Sequence, residues 1–250
     1  MKLLLIYSIF LISTAWGFDQ NHEVYRDVLS TYVIRNGNQT LVNYKDLKGN
    51  TVKLDQYIAD LGRITRKDFE SWGPDQRLAS LINGYNAWTL KLIANNYPVK
   101  SIRKIGPFYS SPWKQEFISW LGQKVSLDYI EHNIIRKDFK EPRIHFALVC
   151  AAMSCPPLQE KPFLATTLEA QLEEATDDFL QDGKKNYAEI KDGKVTLHLS
   201  SIFDWYGSDF GDKAGLRSYV IRELGLTEKV KDKSITVEYL DYNWNLNELK

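Results

Sequence analysis

Apolar residues return at helical spacing after Pro74, where Leu78, Leu81, Ile82, Tyr85, Leu90 and Ile93 share one broad face. Pro74 is placed to open that helix and Pro98 to end it. Weaker helical periods run through residues 21–34, 53–62 (closing at Gly62), 167–181 and 214–224. Residues 117–127 read as a hairpin turning near Gly122-Gln123, and 187–199 as a second turning at Lys191-Asp192-Gly193-Lys194. Ser126 and Asp128 are placed to cap a helix reaching about Arg136, and 235–240 reads as a strand. The dense apolar run 143–150, bounded by Pro142 and the loop of residues 154–157, is expected to be a buried strand.

Helices and hairpins mix without regular β-α-β alternation, and no Pro/Gly/Ser-rich linker divides residues 18–250. The pattern predicts a single α+β domain, with several helices packed on a small, mostly antiparallel sheet. Before it, Lys2, the apolar run of residues 3–13 and the small residues Ala15 and Gly17 form a signal-peptide pattern over residues 1–17. That run is too short to span a bilayer, which takes about 20 apolar residues. The expected product is a secreted or periplasmic protein with no membrane span in the mature chain.

The 32 Lys+Arg balance the 32 Asp+Glu, which gives no reason to expect nucleic acid as a partner. Two cysteines are too few for a disulfide-stapled scaffold or a Cys-rich zinc module. No P-loop, G-x-G-x-x-G or H-E-x-x-H is present, so no cofactor and no resident metal is expected.

Candidate chemistry gathers in three places: Glu131-His132, the run from His145 to Cys150 with its Ser154-Cys155-Pro156-Pro157 loop, and Asn83 with Asn86. A cysteine becomes a strong nucleophile as a thiolate, which an imidazolium or a nest of backbone N–H groups stabilises. Cys150, followed by two alanines, suits such a nest; His132 or His145 suits the base, and Glu131 an orienting carboxylate. An inert buried thiol and a Cys150–Cys155 disulfide are the two competing readings of Cys150. On a strand, His145 and Cys150 would point to opposite faces, and Glu131 and His132 diverge by roughly 100° on a helix. Asn83 and Asn86, i,i+3 neighbours, suit either substrate binding or stapling of loops from inside. Gly84 between them hints at close packing against the helix.

These motifs, in order, resemble the family called domain of unknown function 547. The resemblance rests on residues 81–87 (LINGYNA), 127–132 (LDYIEH), and 143–150 (RIHFALVC) with 154–157 (SCPP). It continues through 203–206 (FDWY) with Asp209-Phe210, and 242–247 (YNWNLN), so it runs from about residue 70 to the C-terminus. It implies that Asn83, Asn86, Glu131, His132, His145 and Cys150 are the functional polar positions. It also favours Cys150 over Cys155 as the functional thiol and argues against an obligatory disulfide. The residue set is similar to that of thiol hydrolases and transferases of the papain and transglutaminase type, an analogy of residue types.

The expected function is a thiol-dependent hydrolase or transferase acting on an acyl or peptide-like small substrate. Cys150, His132, His145 and Glu131 would be catalytic, and Asn83 and Asn86 would bind substrate. The alternatives are a non-catalytic binding module for a small peptide or thiol ligand, and a zinc protein using His132, His145, Glu131 and Cys150.

Overall fold

Helix α5, Pro74–Asn96, is the axis on which the rest is assembled, and the computed structural model describes residues 17–250 around it. Residues 1–16, which hold nearly all of the expected signal segment, lie outside the described residues. The sequence pattern assigns α5 one apolar face, but every residue from Leu78 to Leu90 is buried. A helix covered on all sides is a core helix, and it needs internal partners for each polar side chain it carries.

Among the described residues the chain before it opens with α1 (Glu23–Tyr32), α2 (Tyr44–Gly49) and α3 (Val52–Arg63). Between α1 and α2 runs the hairpin of β1 (Val33–Asn36) and β2 (Gln39–Val42), which the sequence pattern misses. Its four-residue strands are too short to establish alternation. Gly62 does not close α3, which continues to Arg63. Helix α4, Arg66–Ser71, has a Thr65/Asp68 capping box and leads into α5.

The expected hairpin after α5 forms as β3 (Ile118–Trp120) and β4 (Gln123–Val125), turning through Leu121 and Gly122. Both turn residues have positive φ, as a two-residue type I′ connection requires. Ser126 then accepts the Tyr129 N–H and starts α6, Leu127–Tyr129. The helix widens to a π segment over Ile130–Ile135 and returns to α geometry as α7, Arg136–Phe139. That widened turn carries Glu131 and His132; such turns recur at functional sites.

Residues 143–150 are not a strand. Ile144–Ala147 form the short helix α8, and the chain is extended from Leu148. A short run that is apolar on every side carries no period that separates helix from strand. Among the described residues no neighbouring strand meets it, and the segment satisfies part of its backbone through its own turn, with the Leu148 N–H bonded to the Ile144 carbonyl at 2.8 Å.

Helix α9 spans Leu168–Leu180, and then β5 (Tyr187–Lys191) and β6 (Lys194–Ser200) form the second expected hairpin. Helices α10 (Ile202–Trp205) and α11 (Lys213–Glu223) follow, and β7 (Ser234–Leu240) pairs parallel to β6. The fold is α+β, one domain with a continuous core. Its strands divide among two antiparallel hairpins and one three-stranded sheet that contains the parallel pair. Among the described residues no helix is long and apolar enough to cross a membrane.

Candidate functional site

A cavity of about 280 Å³ opens where the π turn, the end of α8, α10 and the C-terminal segment meet. Glu131, His132, His145, Cys150 and Cys155 all line it. The opposite-face difficulty of a strand does not arise, because α8 carries His145 and the extended chain after it carries Cys150.

Cys150 sits where the chain reverses. Ala151 adopts φ +58°, and the loop then brings Cys155 back against Cys150. Both cysteines are free thiols, with sulfurs 2.9 Å apart. The Cys155 sulfur also accepts the Cys150 N–H at 2.7 Å, and the Tyr242 hydroxyl lies 3.1 Å from the Cys150 sulfur. Burial pushes the Cys155 thiol up, but donors from the Cys150 side chain, the Cys150 N–H and Tyr242, with Lys185 nearby, outweigh it and bring it below its ordinary value. Burial and the adjoining Cys155 sulfur push Cys150 well above its ordinary value. The backbone nest expected around Cys150 is thus divided, with the Cys150 N–H serving Cys155 and the Ala152 N–H serving Cys150.

His145 is buried and stacks on Tyr206 at 4.1 Å. Burial lowers its pKa, and its Nε2–H donates to Asp209 at 2.8 Å. Asp209 is held at about 2 by a two-pronged pairing with Arg136, both bonds 2.7 Å. Ionised Asp209 thereby fixes the tautomer that leaves Nδ1 as the acceptor, and among the described residues nothing hydrogen-bonds that nitrogen. Neither His145 nor His132 is within hydrogen-bond distance of Cys150; His132 Nδ1 meets Arg136 at 3.0 Å. Glu131 is buried, accepts the Tyr85 hydroxyl at 3.0 Å, and lies close to the Tyr206 phenol.

Residues 69–180 match the family described as Protein of unknown function, DUF547. No curated protein and no solved structure matches the chain. The DUF547 region supplies α5, Glu131, His132, His145 and both cysteines. Tyr206, Asp209, Tyr242 and Trp244, from the chain after it, complete the site.

Asn83 and Asn86 do not face the cavity. Asn83 accepts the Phe163 N–H at 2.9 Å and donates to the Phe163 carbonyl at 2.8 Å. Asn86 does the same across α8's end, donating to the Ala147 carbonyl at 2.9 Å and accepting the Val149 N–H at 3.0 Å. Each amide acts as a one-residue strand partner, and Asn86 thereby positions the backbone that delivers Cys150. Gly84 lies where an added Cβ would meet the Trp88 ring at 3.1 Å, the close packing expected of it.

Asp209 belongs to the motifs that carry the family resemblance, but its pairing with His145 escapes sequence reading because the two are far apart along the chain. Tyr242 and Trp244 reach the site through their segment, whose backbone pairs with the cysteine loop: the Met153 N–H meets the Asn245 carbonyl at 2.9 Å. Among the described residues no group of three or more His, Cys, Asp or Glu is arranged to hold a metal, so the zinc reading has no ligand set behind it.

Proposed function

We propose that the protein is an exported thiol-dependent hydrolase or transferase acting on an acyl or peptide-like small substrate. The observation that carries this reading is the close pair of free thiols, Cys150 and Cys155, on the wall of the cavity. Cys150 is partly exposed and Cys155 is buried, so Cys150 is the sulfur a substrate reaches.

In this reading Cys150 attacks the carbonyl carbon as its proton passes to the Cys155 thiolate, forming a C–S bond and an oxyanion. Tyr242, kept neutral by burial, is the nearest hydroxyl donor to that oxyanion. Collapse breaks the bond to the leaving group, which takes the proton back from Cys155 and leaves a thioester. Neutral His145, oriented by Asp209, is the base for the water or amine that cleaves the thioester in the second half. Incubation with a panel of small acyl thioesters and activated esters, followed by intact mass, tests this. A Cys150-dependent acyl adduct that turns over is the expected result, and its absence across the panel removes the reading. Ligand binding without any adduct would instead favour the binding module.

The 2.9 Å sulfur separation favours a second reading, thiol–disulfide exchange. Cys150 would attack a substrate disulfide and release one thiol. Cys155 would then displace the second, leaving a Cys150–Cys155 bridge. Intact mass after a small disulfide separates the two readings, because a bridge lowers the mass by two hydrogens.

A further inference from the structure

We infer that the cavity selects a small acyl or peptide-like substrate bearing an ammonium group, held between aromatic faces and the carboxylates of Asp128 and Glu131. The inference rests on the site proposed above and names its ligand class.

The C-terminal wall is aromatic. Trp205 and Trp244 stack at 5.7 Å, and Tyr242 lies 4.5 Å from Trp244 and 4.8 Å from Trp205. Trp113 meets Trp244 edge-on at 5.9 Å. Trp205 lines the cavity and is 46% exposed, so part of its indole is accessible to a ligand. Elsewhere in the lining, Tyr85 and Tyr206 flank Glu131.

The formal charge on the lining is negative. Asp128 and Glu131 line the cavity, and no lysine or arginine does. The nearby Arg136 is matched by Asp209, Arg103 lies over the Trp244 ring at 5.1 Å outside the lining, and Lys185 pairs with Asp182. His132 is the remaining cation candidate, 3.8 Å from Asp128. The polar groups facing the space are carboxylates, phenols, thiols, Ser111 and the two histidines, and the two buried amides nearby face backbone. A box of π faces and carboxylates without a fixed lysine or arginine attracts a cation and repels an anion. A neutral sugar would also stack on indoles, but it draws no benefit from the charge. About 280 Å³ suits a single amino-acid-sized group.

The test is titration of tryptophan fluorescence in the Cys150→Ser protein, which binds without reacting. Four probes are compared: Nα-acetyl-lysine methylamide, its neutral norleucine counterpart, its glutamate counterpart, and a neutral disaccharide. The lysine probe is expected to bind at least about tenfold more tightly than the norleucine probe. Glu131→Gln and, separately, the more exposed Asp128→Asn should each erase much of that preference, with far-UV circular dichroism reporting whether the variant is folded. Equal binding of lysine and norleucine probes, preference for the glutamate probe or the disaccharide, or no binding of the lysine probe overturns the inference. These failures are distinct from failure of the thiol reading. Adduct formation at Cys150 without lysine preference sinks only the ligand class, whereas lysine preference with an inert Cys150 sinks only the chemistry.

Discussion

The backbone N–H of Cys150 points at the sulfur of Cys155, 2.7 Å away, and with the Cys150 thiol and Tyr242 it brings the buried cysteine below its ordinary thiol value. Reactivity at Cys150 then depends on Cys155 as proton acceptor. In Cys155→Ala, alkylation of Cys150 at about pH 7 should slow roughly tenfold, because its proton loses its acceptor while burial still disfavours the Cys150 thiolate. Intact-mass kinetics with iodoacetamide checks this, and an unchanged rate would show that the pair does not share its proton.

Asp209 ties Arg136 to His145. Asp209→Asn should lower stability by about 1–2 kcal/mol, less than a fully buried pair because solvent reaches it. Its carboxyl is depressed from 3.8 to about 2, so the unfolded chain binds the proton more readily. The contribution is present above 3.8 and is lost as pH falls toward 2. Urea unfolding of wild type and variant at several pH values should show their difference narrowing in that window.

His22 donates no charge to the fold. Burial holds it at about 4 against an ordinary 6.5, with Asp19 opposing and Arg26 adding to the shift, and its Nδ1 meets the Tyr57 hydroxyl at 2.7 Å. Between those values the unfolded chain binds more protons, so this term of stability falls as pH drops from 6.5 to about 4. The integrated loss is about 3 kcal/mol. His22→Gln should unfold with a flatter pH dependence over that range, whatever its stability at neutral pH; an unaltered slope would exclude His22 as the source.

Asn83→Ala and Asn86→Ala each strand a buried N–H and a buried carbonyl, at Phe163 and at the end of α8. Each should cost about 2–4 kcal/mol. The discriminating readout is ligand affinity in the fraction that remains folded. Asn83→Ala should leave it within about twofold, because this amide is directed to backbone.

Gly84→Ala gains about 1 kcal/mol of helix propensity. It also places a Cβ against Trp88, which is 1% exposed and wedged on Trp120 at 5.8 Å. A ring held that tightly cannot retreat, so the net change should be destabilising by about 1 kcal/mol. Thermal unfolding reads the sign directly.

Local pattern by itself determined the elements whose causes are local: the Pro74-initiated helix, the hairpins around Gly122 (expected to turn at Gly122-Gln123, one residue late) and at Asp192-Gly193, and the α9 and α11 helices. The polar residues of the site were visible too, because His, Glu and Cys in apolar company stand out. Tertiary structure decided what those residues do. Apolar continuity from Ile144 to Val149 could not tell helix from strand, and the helix is what turns His145 and Cys150 toward one cavity. The roles of Asn83 and Asn86 depended on which backbone came to lie beside α5. Asp209, Tyr242 and the indole wall arrive from far along the chain, and the opposite pKa shifts of Cys150 and Cys155 follow from donors that a loop and the C-terminal segment bring together. Hydrogen-bond direction and long-range packing leave no period in a sequence, so they are settled only when the chain is folded.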